Sequence, residues 1–132
     1  MKNRFIQTLL PLKADNTFPG IKLPWVVFII LVIVGFVRSL IHIFAADGGA
    51  GSIAGIDLAV NGATGIIFAF ALWGSSQLLM SLLQLLVIFH YRSLVPLMYV
   101  FIILEMTLRM LVGRIKPVDF QHIPPGAIQS NE

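Results

Sequence analysis

Arg38, Glu105 and Arg109 stand inside stretches otherwise apolar enough to cross a bilayer. Arg38 interrupts residues 23–46, and Glu105 and Arg109 interrupt residues 94–112. A charge at the bilayer centre costs about 3 kcal/mol on insertion scales, so such side chains turn toward a protein interior or a watery cavity. Glu105 and Arg109 are four residues apart and can pair on one helix face. Arg38 is left in need of an acceptor. The sequence offers a shared Glu105, a backbone carbonyl, Asp57 from the following loop, or an anion from outside. Two arginines against one glutamate suit recognition of an anionic or carbonyl-bearing ligand, such as a lipid headgroup or a quinone. Arg38, His42, Gln77, Glu105 and Arg109 are therefore the candidate binding residues.

The same side chains also fit a structural role. Polar groups in membrane bundles often serve only to hold helices together, at about 1 kcal/mol or less per hydrogen bond. Arg38, His42 and Arg109 are near enough to one surface to reach it by snorkelling.

Catalytic chemistry finds no support in the sequence. With no cysteine there is no thiolate metal site and no cysteine nucleophile. His42 falls at the outer end of its expected span, His90 at the inner end of another and His122 in the tail, so they make no common site, and no HExxH-type spacing occurs. No glycine-rich phosphate loop follows a strand pattern. The expectation is a non-enzymatic protein, without a metal and without an assignable cofactor.

The elements that must position these residues are membrane spans. The 132 residues are 58% hydrophobic and only 11% charged, well below the quarter typical of soluble domains, which predicts one all-α membrane domain over residues 1–132. Residues 23–46 form the first span and end in Asp47-Gly48-Gly49, a helix stop. Residues 62–90 form the second; being longer than one perpendicular crossing needs, they could also be split at Gly74-Ser75-Ser76 into two. His90-Tyr91-Arg92-Ser93 is a tight turn with Ser93 placed to cap the third span, 94–112. Three spans are expected, four being the alternative. Residues 3–13 read as a short amphipathic segment at the membrane surface, and residues 53–60 as a half-buried turn of helix. The tail through Pro124-Pro125-Gly126 is extended.

Counting ~1.5 Å per residue along each span brings Arg38, Arg109 and Gln77 to one layer, ~20–22 Å from the end where the chain enters, with Glu105 one turn deeper. Each helix also has one polar stripe: Gly35, Arg38, Ser39 and His42; Gln77, Ser81 and Gln84; Glu105 and Arg109. Small residues at Gly35/Ser39 and Gly65/Ala69 allow close helix approach.

From His90-Tyr91-Arg92-Ser93-Leu94-Val95-Pro96 through Glu105, Arg109 and Lys116-Pro117 to Pro124-Pro125-Gly126-Ala127-Ile128, the chain resembles a group of uncharacterised small multi-span proteins of the bacterial inner membrane. In that group a further hydrophobic helix tends to follow, which this sequence lacks. The resemblance implies a membrane location and no activity.

The leading expectation is an accessory or structural subunit of a larger membrane complex, or a homo-oligomer, acting through helix packing. The alternative is a protein that binds or moves a small molecule, lipid, quinone or ion through the Arg/Glu/Gln cluster. Membrane lipids are expected partners and nucleic acid is not, because Lys2, Arg4, Lys13 and Lys22 precede the first span and read as orientation signals. By the positive-inside rule the N-terminus is expected to be cytoplasmic in an inner membrane.

Overall fold

The computed structural model describes residues 3–120; Pro124-Pro125-Gly126, His122 and most of the expected tail lie outside them. The order of elements is a short helix α1 (Arg4–Leu9) and three long ones, α2 (Lys22–Phe44), α3 (Ala63–His90) and α4 (Val95–Ile115). No extended strand occurs among the described residues. The chain is an all-helical protein with three helices long and apolar enough to span a membrane.

Each helix starts and stops for local reasons. In α1 the Asn3 side chain accepts from the Phe5 amide. Its Phe5, Ile6 and Leu10 are left uncovered, as a segment lying on a bilayer surface requires. After α2 the chain turns through Gly48 and Gly49, both at positive φ, a conformation open to glycine at little cost. α3 begins after Gly62, also at positive φ, and runs unbroken for 28 residues, ~42 Å at 1.5 Å per residue. Gly74-Ser75-Ser76 does not break it. α4 opens with Pro96 in its first turn, where a missing N–H removes no helical bond.

Two local expectations are corrected. Residues 53–60 form no helix: the loop is a series of tight turns, because its closely spaced glycines favour turns over a helical run. Ser93 does not cap α4. A 3-10 turn, Arg92–Leu94, leads into that helix, and the Ser93 hydroxyl instead accepts from the Asp15 amide at 2.9 Å and donates to the Asp15 carbonyl at 3.0 Å.

The N-terminal segment therefore closes on the α3–α4 turn, while Phe120 makes a backbone bridge with Ile56 in the α2–α3 loop. Residues 3–21 and 91–94 mark one end of the bundle, here the turn end. Residues 45–62 and 116–120 mark the other, the loop end.

α2 and α3 form a close antiparallel hairpin. A Cβ on Gly74 would come within 2.6 Å of the His42 Cβ and 3.1 Å of the Ser39 carbonyl oxygen. Gly35 lies opposite Ser81. Gly65, by contrast, has nothing near it and Ala69 is exposed, so of the two small-residue pairs only Gly35/Ser39 packs helix on helix.

α4 shares a buried core with this hairpin only at the turn end. The core there is Phe28, Val32, Val87, Ile88, Val95 and Met98, and the Tyr99 hydroxyl donates to the Pro24 carbonyl at 2.6 Å. Beyond Met98 no residue of α4 is buried. The helix leaves the hairpin, and a groove opens between α3 and α4.

Candidate functional site

Trp73 of α3 is the centre of the polar layer. The Arg38 guanidinium lies over its ring at 5.3 Å, the Arg109 guanidinium at 4.6 Å, and the His42 ring stacks against it at 5.0 Å between centroids. An indole face attracts cations through its quadrupole, more strongly where water is scarce. α2 thus sends two groups, Arg38 and His42, and α4 sends one, Arg109, to a single aromatic ring carried by α3.

His42 is fully buried and both ring nitrogens are engaged. Nδ1 is 2.7 Å from the Gly48 carbonyl oxygen, and Nε2 is 3.2 Å from Arg38 Nε. A carbonyl only accepts and a guanidinium only donates, so the ring is the neutral tautomer with its proton on Nδ1. This supplies Arg38 with an acceptor that none of the sequence alternatives included. Asp57 is occupied elsewhere, accepting from the Ala59 amide at 2.8 Å. The peptide carrying the Gly48 carbonyl is set by a loop pinned at Asp47, whose carboxylate accepts from the amides of Ser52 at 2.7 Å and Gly49 at 2.8 Å. Those two amides, Ser52 first, hold the Asp47 carboxyl down to about 2.

Glu105 and Arg109 pair within α4, as their spacing predicts. The pair is not sealed: the Glu105 side chain is 45% exposed and the Arg109 side chain 28%. Among the described residues this is the one side-chain ion pair that forms, so the Arg38 guanidinium has no carboxylate of its own.

Gln77 lies one turn from Trp73 toward the turn end. It does not join the arginines, and its Oε1 is buried without a partner, the one such side-chain atom among the described residues. Below Trp73 runs the α3–α4 groove, about 290 Å³, lined mainly by apolar atoms of Met80, Phe101, Ile102, Leu104 and Leu108, with Glu105 at its rim. Of the five candidate residues, Arg38, His42 and Arg109 gather around one ring, while Glu105, paired with Arg109, and Gln77 line the groove beneath it.

Trp73 was not among the candidates, yet it was findable. It precedes Gln77 by four residues and so extends the α3 polar stripe by one turn.

No protein-family model matches the chain, and neither a curated protein nor a solved structure is significantly similar to it.

Proposed function

We propose that this is a non-enzymatic, multi-span membrane protein that works by binding an anionic group at the Arg38–Trp73–Arg109 cluster. The observation that carries this reading is the charge imbalance: two guanidinium groups over one indole ring, with a single carboxylate that pairs with only one of them. A cation without a counter-charge is costly within a membrane, and a bound anion relieves that cost. The groups present are suited to holding charge rather than to turnover. Arginine keeps its proton throughout the physiological range, and the one histidine has both nitrogens bonded.

The basic residues support an orientation. Arg4, Lys13, Lys22 and Arg92 belong to the turn end, and Arg114 and Lys116 to the loop end. On the positive-inside rule the turn end, with the N-terminus, faces the cytoplasm of an inner membrane.

Native mass spectrometry of protein released from its own membrane tests this reading. The expected spectrum has an anionic adduct that is lost in Arg38→Gln. An adduct retained equally by Arg38→Gln overturns it.

A second reading, as a homo-oligomer or a subunit of a larger complex, is favoured by the uncovered length of α4 beyond Met98. A partner helix laid along it would cover the Glu105 side chain and add close packing, which drives helix association in lipid. Particle size in nanodiscs checks it: a folded, partner-free monomer counts against this role.

A further inference from the structure

We propose that the α3–α4 groove is the chain-binding half of the same site, so that the ligand is an anionic amphiphile with one apolar chain: a compact phosphate or carboxylate head at Arg38 and Arg109, and its chain running down the groove. This rests on the anion-binding reading and adds the class of ligand to it.

Three observations converge. The first is charge. At the end of the groove formed by Trp73 and Leu108, the indole has the Arg109 guanidinium 4.6 Å and the Arg38 guanidinium 5.3 Å from its centroid, both just beyond the groove lining, and only Arg109 has a carboxylate. Guanidinium groups present forked N–H donors suited to the oxygens of phosphate or carboxylate.

The second is the lining. From Trp73 to Gln84 the groove follows α3 for ~16 Å, and its α4 wall is apolar apart from Glu105. Gln77 and Gln84 add little polar surface on the other wall, since Gln77 Oε1 is wholly buried and Gln84 is only 8% exposed. Such a slot, open along one side to the membrane, admits a chain without exposing it to water.

The third is depth. Trp73 is ~25 Å along α3 from the turn end, close to one boundary of a hydrocarbon layer ~30 Å thick. A head held there is near its own interface, and a chain descending from it points to the midplane, as in the surrounding leaflet. The ligand can enter sideways from that leaflet without turning over. A second copy of the chain would have to bring a helix into a slot whose charged end already carries excess positive charge, so the amphiphile is the better match.

The test uses the full chain in phosphatidylcholine nanodiscs, with Trp25→Phe as background so that fluorescence reports Trp73 alone. The probes are dodecyl phosphate, dodecanol and inorganic phosphate. Dodecyl phosphate is expected to shift the emission, dodecanol not to, and inorganic phosphate to act only at much higher concentration. Arg38→Gln should weaken the dodecyl phosphate response by about tenfold, the loss of one charge-assisted contact. Met80→Phe with Leu104→Phe, narrowing the groove from both walls, should weaken that response similarly and leave the inorganic phosphate response unchanged. Because both proteins sit in the same membrane, partitioning of the probe cancels from this comparison.

An unchanged dodecyl phosphate response in the narrowed variant overturns the chain site while leaving anion binding intact. So does inorganic phosphate acting as strongly as dodecyl phosphate, which would make a free anion the ligand. Silence of Trp73 toward both phosphates overturns the binding reading itself. Efficient cross-linking between copies through Leu104→Cys would assign the groove to a second chain and overturn the amphiphile.

Discussion

His42 connects the charged layer to the loop above it. Removing its ring orphans the Gly48 carbonyl and the Arg38 Nε–H together. His42→Leu is expected to lower stability by about 1–3 kcal/mol for each group left unpaired, read as the thermal midpoint in detergent. A variant melting with the parent would mean that neither bond forms. Glu105 tests the pair on α4. Glu105→Leu should destabilise, and adding Arg109→Leu should recover part of the loss, because an unpaired charge costs more than an apolar pair. The exposed rim of the pair keeps the single-variant loss below the ~3–5 kcal/mol of a fully buried one.

Asp47 gives a pH signature. Its carboxyl has a folded value of about 2 against an ordinary 3.8, so the stability it adds is complete above the ordinary value and is lost as pH falls toward the folded one. Thermal midpoints of the parent and Asp47→Asn should therefore converge as pH drops from about 5 to 2, and a constant gap would sink the assignment. At this scale the sequence revealed types and depths: charge inside apolar runs, with helical spacing, is enough to find Arg38, Glu105 and Arg109. It could not reveal who bonds whom. The His42–Arg38 bond depends on a loop carbonyl that fixes the ring's tautomer, and that loop's path follows from glycine torsions with no periodic pattern.

At the scale of elements, glycine distinguishes a buried seam from an open face. Gly74 lies where α2 comes closest, and a methyl group there meets His42 Cβ and the Ser39 carbonyl. Gly74→Ala is expected to cost about 1–3 kcal/mol through overpacking. Gly65→Ala has free space around it and should be neutral or gain up to ~1 kcal/mol from helix propensity. Comparing the two melting curves checks the seam, and equal effects would contradict it. Hydropathy placed the long helices well: residues 23–46, 62–90 and 94–112 correspond to Lys22–Phe44, Ala63–His90 and Val95–Ile115. Apolar length over-determines such segments. Which small residues would pack was not legible, since Gly35/Ser39 and Gly65/Ala69 have the same spacing and differ only in what lies opposite.

In the molecule as a whole, the apolar core that includes α4 is concentrated at one end. Phe28 is fully buried in the core that joins all three long helices, whereas Phe101, on α4 beyond that core, is exposed. Phe28→Ala should lower the thermal midpoint substantially, by opening a cavity among close-packed side chains, and Phe101→Ala should scarcely move it. Similar losses in both would mean that α4 is packed along its whole length. Amphipathic stripes predict three helices turned toward a common interior. They do not encode the angle at which α4 departs, which depends on core side chains at its first two turns and on the Tyr99–Pro24 bond.

The reciprocal bonds between Asp15 and Ser93 impose an order on biogenesis. They join residues 78 apart, so the N-terminal segment has no partner until almost the whole hairpin has been made. At synthesis rates of ~5–20 residues per second, that wait lasts about 4–16 s. During this interval α2 and α3 can enter the membrane and pair through Gly74, but the first twenty residues remain untied. The clasp closes only when the ribosome has delivered the start of α4. It is a late event that follows the hairpin and cannot direct it, and an N-terminal fusion placed ahead of Asp15 would burden the last step of assembly rather than the first.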